Sequence, residues 1–229
     1  MKRLYDSQQL REYLAAYDLT HLFLHTQLEH LQLREYDSSE IILREGDELD
    51  GLYFQVDGVA RVSTCVATGK SLLLRYCRPL SVFGDIELIN NVPVQSRVEA
   101  DERSRFIFID KAFVQRHFMQ DSQFLNMLLK HLAYKLQTCT TASRINLLAT
   151  VEERLAGYLL STREPIPFGQ EIYSPHISEI ASVIGTTTRH LNRVLQNLKD
   201  DGIVSKTRNN LIVLDWEQLD RMSNGLRYD

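Results

Sequence analysis

Residues 177–198 read ISEIASVIGTTTRHLNRVLQNL, and this stretch decides how the rest of the chain is read. Two helices can cross tightly only if the first carries a small residue at the contact and the turn carries glycine. Ala181 supplies the first and Gly185, four residues later, the second. Ile180 and Ile184 are expected to face inward before the turn, and Leu191, Val194, Leu195 and Leu198 after it. Thr187 is a good N-cap for the second helix. The spacing is that of a helix-turn-helix, whose second helix lies in the DNA major groove. Subtracting the inward set leaves Thr188, Arg189, His190, Asn192 and Arg193 on the open face. Arginine forks onto guanine O6 and N7, and asparagine or histidine bonds base edges or phosphate.

Downstream, IVSKT and LIVLD flank Arg208-Asn209-Asn210 as a hairpin, and WEQLDRMS (216–223) reads as a last short helix. Helices followed by a hairpin make a winged helix-turn-helix. Lys206 and Arg208 on the wing, with Lys199, are expected to touch phosphates. Over residues 178–210 the positive side has Arg189, Arg193, Lys199, Lys206 and Arg208, against Glu179, Asp200 and Asp201. Upstream, VEERLAGYLLST (151–162) is an amphipathic helix, and REPIPFGQ (163–170) is a loop by its two prolines and glycine.

Farther upstream, Ser122 is read as the N-cap of a long helix running to about Leu148. Leu125, Leu129, Leu132, Leu136 and Cys139 recur on it at spacings of three and four, continued by Ser143 and Asn146. A narrow apolar seam with polar positions is a coiled-coil habit, which makes this the dimerisation helix of a parallel pair.

The first half has another texture. Residues 7–29 hold helical spacing broken near Asp18. Then HLQLREY, EIILRE, LYFQVDG, VARVSTCV, SLLLRYC, VQSRVEA and SRFIFID each read as a short strand. Gly46-Asp47, Asp50-Gly51, Asp57-Gly58 and Thr68-Gly69 are expected to supply the positive φ of tight turns. Many short strands imply a sandwich or rolled barrel. After Asp110 the period turns helical, with a short helix at Lys111–His117.

Composition removes other classes. The 229 residues carry 26 Lys and Arg against 30 Asp and Glu, a net charge of −4, so wholesale polyanion binding is disfavoured while a local basic face is not. No run of eighteen apolar residues exists, and the N-terminus lacks an apolar signal core; no membrane contact and a cytoplasmic location are expected. Cys65, Cys77 and Cys139 are scattered, which gives no zinc or iron–sulfur cluster and suits reduced thiols. No histidine falls between residues 31 and 116, so a barrel metalloenzyme lacks ligands. No nucleophile-elbow, P-loop or zincin motif occurs, and neither an enzyme nor a cofactor is expected.

The residues REGDELDGLYFQVDGVARV (44–62) and VFGDIELINNVPVQSRVEA (82–100), with the helix-turn-helix and its wing, resemble the cyclic-AMP receptor protein/Fnr family of bacterial regulators. The resemblance covers about residues 20–215, and the SEIASVIGTTTRHLNRVL wording is nearest to YeiL-like and Listeria-regulator-like members. It implies an α+β chain: an N-terminal β-roll of the cyclic-nucleotide-binding jelly-roll type, a long dimerisation helix and a C-terminal winged helix-turn-helix. The domains expected are 1–120 for the N-terminal helices and β-roll sensor, 121–148 for the dimerisation helix and hinge, and 149–229 for the DNA-binding part. The hinge is expected near Leu147–Thr150. Haem ligation through Cys77 is disfavoured, and the absence of cysteines before Cys65 argues against Fnr's cluster.

By the same resemblance, Gly84, Asp85, Gln95, Ser96, Arg97, Cys139 and Thr140 would line an effector pocket. Nucleotide-binding members place Gly-Glu-Leu and, eleven residues after the glycine, an arginine that forks the cyclic phosphate. Here the cassette is Gly84-Asp85-Ile86 and that position is Gln95. A neutral amide cannot replace a charge-assisted fork. Arg97, two residues on, shares the strand face of Gln95 and could stand in partly. The expected function is therefore a homodimeric regulator, activator or repressor, on palindromic duplex DNA, whose sensor does not take cyclic AMP. The alternatives are gating by cyclic AMP or another small molecule in the roll, and a pure protein-interaction module. The family's activators also make the 163–170 loop a candidate contact for RNA polymerase.

Overall fold

The computed structural model describes residues 1–23, 25–65, 71–162, 170–171, 176–206 and 211–228. The chain divides into two compact units, one reaching to Tyr134 and the other beginning at Lys135, so the division falls within one long helix.

The first unit opens with β1 (Lys2–Leu4) and α1 (Ser7–Ala16). Asp6 caps α1 by accepting from the Gln9 amide, and Leu10 and Leu14 are its buried stripe. Helical spacing resumes in the sequence after Asp18, but no α-helix does. Asp18 adopts φ 53°, which an α-helix cannot absorb, and the next element is a 3-10 turn at His25–His30.

Two five-stranded sheets then form a roll. One has the order β1, β2 (Leu31–Tyr36), β9 (Ser104–Asp110), β4 (Gly51–Asp57), β7 (Ser81–Phe83). The other joins β3 (Ile41–Leu43), β8 (Arg97–Ala100), β5 (Ala60–Cys65) and β6 (Ser71–Cys77), with the two-residue β10 (Gln170–Glu171) at its edge. β2 alternates, with Leu31 and Leu33 buried and Gln32 and Arg34 half-buried on the other face, where Arg34 stacks on Phe108. β9 is buried over FIFI and is paired on both edges, by β2 and β4; Leu33 and Phe54 both sit opposite Ile107.

Gly46 and Gly58 take the positive φ expected of them, 89° and 81°. Gly51 does not. It is the first residue of β4, where an added Cβ would lie 2.1 Å from the Ile109 carbonyl oxygen and 2.5 Å from the Phe108 ring. Its glycine is required by close approach, not by a turn. The Thr68-Gly69 turn lies outside the described residues.

Four elements had no sequence signal: β1, β7, β10, whose Gln170 reads as the end of a loop, and the six-residue α2 (Asp85–Asn90), which starts at Gly84 with φ 87°. After β9 come α3 (Lys111–His117) and α4 (Ser122–Leu148). Capping of α4 falls to Asp121 rather than Ser122: its Oδ1 accepts from the Gln123 and Phe124 amides at 2.9 Å each, and Ser122 is already helical.

The second unit packs the last turns of α4 with α5 (Val151–Ser161), α6 (Ile177–Val183), α7 (Thr188–Asp200), the hairpin β11 (Val204–Lys206) and β12 (Leu211–Val213), and α8 (Trp216–Ser223). α5 begins with a capping box, in which Thr150 and Glu153 satisfy each other's backbone amides. These hydrogen bonds hold the Glu153 carboxyl below the usual carboxylate range, the Thr150 amide contributing most. Ile145 of α4 is built into this unit's core. No helix among the described residues is long and apolar enough to cross a membrane.

Candidate nucleic-acid interface

α6 and α7 cross as their small residue and glycine require. Ala181 is 2% exposed at the contact, and Gly185 adopts φ 64° in the turn. Ile180, Ile184, Leu191, Val194, Leu195 and Leu198 are all buried. Thr187 caps α7 by accepting from the His190 amide at 3.2 Å.

With that stripe inward, Thr188, Arg189, Asn192 and Arg193 are exposed, and His190 is half-buried at the edge of the face. Arg189 and Arg193 are one turn apart on the outermost ridge. Gln196, which the inner-stripe pattern did not single out, continues the ridge from Arg193 and donates to Asp200 at 2.7 Å. Its i, i+3 relation to Arg193 was the available signal. Lys199 is exposed near the far end of α7. On the wing, Lys206 Nζ donates to Asn192 Oδ1 at 2.6 Å, so hairpin and helix present one joined surface. Arg208 lies outside the described residues, as do 163–169 of the loop considered for polymerase.

Two further residues hold the turn between the helices. Arg154 of α5 donates Nη1 to the carbonyls of Ile184 at 2.7 Å and Gly185 at 3.2 Å. Asn146 of α4 donates Nδ2 to the Val183 carbonyl at 3.1 Å. The Val183 and Ile184 carbonyls are ones that a helix end leaves without intrahelical partners, and Gly185 is in the turn itself. Both donors lie at least thirty residues from the carbonyls they hold; no local pattern marks Arg154, and Asn146, read from its spacing as a continuation of the seam, is instead bonded within the second unit.

In the roll, Gly84 begins α2 and Asp85 is 1% exposed. Gln95 is exposed; its backbone amide donates to Glu87 Oε1 at 3.0 Å, and its side chain turns back to the Pro93 carbonyl at 2.7 Å. Ser96 is half-buried. Arg97 is ion-paired with the buried Glu99, which also takes Arg61 from the facing strand. Burial alone would lower the Arg61 pKa, but the Glu99 hydrogen bond and charge outweigh it and the net shift is upward. Arg61 and Glu99 are register partners, while Val62 and Val98 between them pack into the core. The arginine pair therefore lies on the face of the sheet away from that core. Cys139 and Thr140 belong to the second unit and are exposed; Thr140 Oγ1 is back-bonded to the Leu136 carbonyl at 2.8 Å.

The long helix carries three faces. Phe124, Leu128, His131, Thr138 and Ile145 are buried. Asn126, Lys130, Gln137 and Arg144 make an exposed polar face. Between them runs the predicted seam: Leu129 is 63% and Leu136 70% exposed, Cys139 is exposed, and Leu125 and Leu132 are half-buried.

Comparison with known proteins places this geometry. Residues 33–121 match the family described as the cyclic nucleotide-binding domain, and residues 153–222 match the Crp-like helix-turn-helix domain. Regulatory protein YeiL of Escherichia coli O157:H7 is 25% identical over 201 residues, 88% of this chain and 87% of that one. The cAMP-activated global transcriptional regulator CRP of Salmonella typhimurium is 24% identical over 194 residues, 81% of this chain and 91% of its own. Among solved structures, a Crp/Fnr-family transcriptional regulator of Eubacterium rectale has a TM-score of 0.74 at 15% identity, over 93% of this chain and 99% of that one. The c-di-GMP responsive global regulator CLP of Xanthomonas campestris has a TM-score of 0.72 at 18% identity, over 92% and 100%. At these identities the structural likeness speaks for the fold.

Proposed function

This chain belongs to the Crp/Fnr family of DNA-binding transcription regulators, and from that premise we propose that it acts as a homodimer on a palindromic operator and does not take cyclic AMP as its effector. The observation that carries the reading is the ridge Arg189–Arg193, set outward on a helix whose whole inner stripe is buried and whose flank is joined to Lys206. Two such ridges, related by a two-fold axis, would enter successive major grooves about one helical turn apart. The exposed leucine seam of α4 supports the axis, because a monomer gains nothing from leaving Leu129 and Leu136 in water.

The relative from Salmonella typhimurium is by its name cAMP-activated. The residues here do not fit a cyclic phosphate: Gln95 is neutral and bonded to its own chain, and Arg97 is held by Glu99. Control by another small molecule in the roll is the second reading, favoured by the match to the cyclic nucleotide-binding domain itself. RNA polymerase is proposed as the further partner on the family analogy.

Selection of duplexes from a random library, followed by affinity measurement on the winner and on random DNA, tests the DNA reading. A winner without two-fold symmetry would overturn the palindrome. Cyclic AMP at millimolar concentration should change neither operator affinity nor the melting temperature. Binding at a hundred times Kd would add about 2.7 kcal/mol to folding, which a melting scan would register.

A further inference from the structure

The segment after α8 turns back through Asn224 and Gly225, at φ 48° and 74°, and brings Tyr228 into the core of the second unit, where it is 1% exposed. The route is built for it. Gly157 on α5 has no Cβ where one would lie 2.9 Å from the Leu226 carbonyl oxygen. Ser161 Oγ accepts from the Tyr228 amide at 2.8 Å, and the Tyr228 ring meets Tyr158 edge-on at 6.5 Å. At the far end the Tyr228 hydroxyl donates to Asn146 Oδ1 at 2.9 Å. That bond fixes which way the amide faces, so that Nδ2 is presented to the Val183 carbonyl, the last of α6.

We infer that Tyr228 is a positioning residue for DNA reading: through Asn146 it locks the helix-turn-helix turn to the last turns of α4, so that recognition helix and dimer helix end move as one body. The inference rests on the proposed operator reading above. A single direct bond from Asn146 would leave the amide free to flip, with its oxygen then against the Val183 carbonyl, a repulsive pair; the hydroxyl removes that state. Burial raises the phenol pKa, which keeps the hydroxyl protonated and donating across the physiological range.

The test uses the full chain. Tyr228→Phe deletes the hydroxyl and keeps the ring, and Asn146→Ala deletes the relay without touching the ring. Affinity is measured for each on the duplex selected by the wild type and on random duplex of equal length, well below the melting temperature. The expected result is a roughly three- to tenfold loss in the ratio of operator to random affinity for both variants, the worth of one buried hydrogen bond. Random-duplex affinity should stay at the wild-type value. A merely structural tyrosine would move both affinities together or neither. Hydrogen exchange gives an independent readout: the Ile184, Gly185 and Thr186 amides, bonded to Ile180, Ser182 and Ala181, should exchange faster in both variants. A ratio within twofold of wild type and unchanged exchange would overturn the inference. If the wild type itself shows no preference over random DNA, the operator reading fails, and the exchange rates alone then decide whether the latch exists.

Discussion

Replacing Leu136 by glutamate should break the proposed dimer and, through it, operator binding. Leu136 is 70% exposed on α4 of the single chain. Burying a fully exposed leucine is worth about 1.5–3 kcal/mol, so closing the seam over this side chain contributes roughly 1–2 kcal/mol per copy. A two-fold axis counts it twice, for about 2–4 kcal/mol at one sequence position. Glutamate forfeits that and sets two carboxylates near the axis. The dimer Kd should therefore rise roughly thirty- to a thousandfold, before repulsion is added. Sedimentation velocity over a dilution series measures it directly, and operator titration should fall in step because a monomer holds only one half-site. Gln137→Glu is the control: it adds the same charge one residue along, on the exposed polar face beside Lys130 and Arg144. It should leave the dimer Kd within about twofold. A wild-type Kd for Leu136→Glu, or equal disruption by Gln137→Glu, would refute the assignment of the seam.

Arg193→Ala should cost about 1–3 kcal/mol on the selected operator and relax the preference at one base pair of each half-site; equal loss on random DNA would reassign it to phosphate. Arg208→Ala should weaken all duplexes alike and lower the slope of log affinity against log salt by about one unit, read from titrations at several salt concentrations. Glu153 has a lowered folded-state pKa, so its contribution is present above its unfolded pKa and is lost as pH falls through the folded one. Urea melts should then show wild type more stable than Glu153→Gln near neutrality, the gap closing as pH drops below about 4.5. A gap independent of pH would mean that the charge of Glu153 is idle.

The helix-turn-helix was legible because several local demands coincide within 22 residues: a small residue at the crossing, glycine at a positive φ, a threonine cap and one unbroken inner stripe. The strands were legible where alternation or a short apolar run marks them, as in β2 and β9. Sequence reading failed where one residue type serves two geometries or where an element is too short to show a period. Glycine answers both a turn and a close approach, and at Gly51 only the opposing Ile109 carbonyl tells which. α2 has six residues, fewer than two turns, and β1 and β7 have three each. Asp121 and Ser122 are both good caps, and a one-residue shift of the helix start decides between them. Asn146 and Tyr228 are 82 positions apart, beyond any spacing rule.

Arg97 shows the same limit with a functional consequence. From the strand period alone it shares a face with Gln95, which made it a substitute anchor for an anion. Register adds what the period cannot: Glu99 falls opposite Arg61 and beside Arg97, buried between two guanidiniums. An incoming phosphate that took the Nη2 of Arg97 would have to displace a carboxylate. That exchanges one charge-assisted bond, worth about 1.5–3 kcal/mol, for another of the same kind. Arg97 gives Glu99 its Nη2, and a phosphate that took that donor would gain only the difference between the two bonds. Pulling Arg97 away would also leave a carboxylate that is only 5% exposed with a single partner, and an under-compensated buried charge is costly. On the reading proposed above, an effector taken in the roll draws its binding energy mainly from contacts other than the Arg97 donor engaged by Glu99.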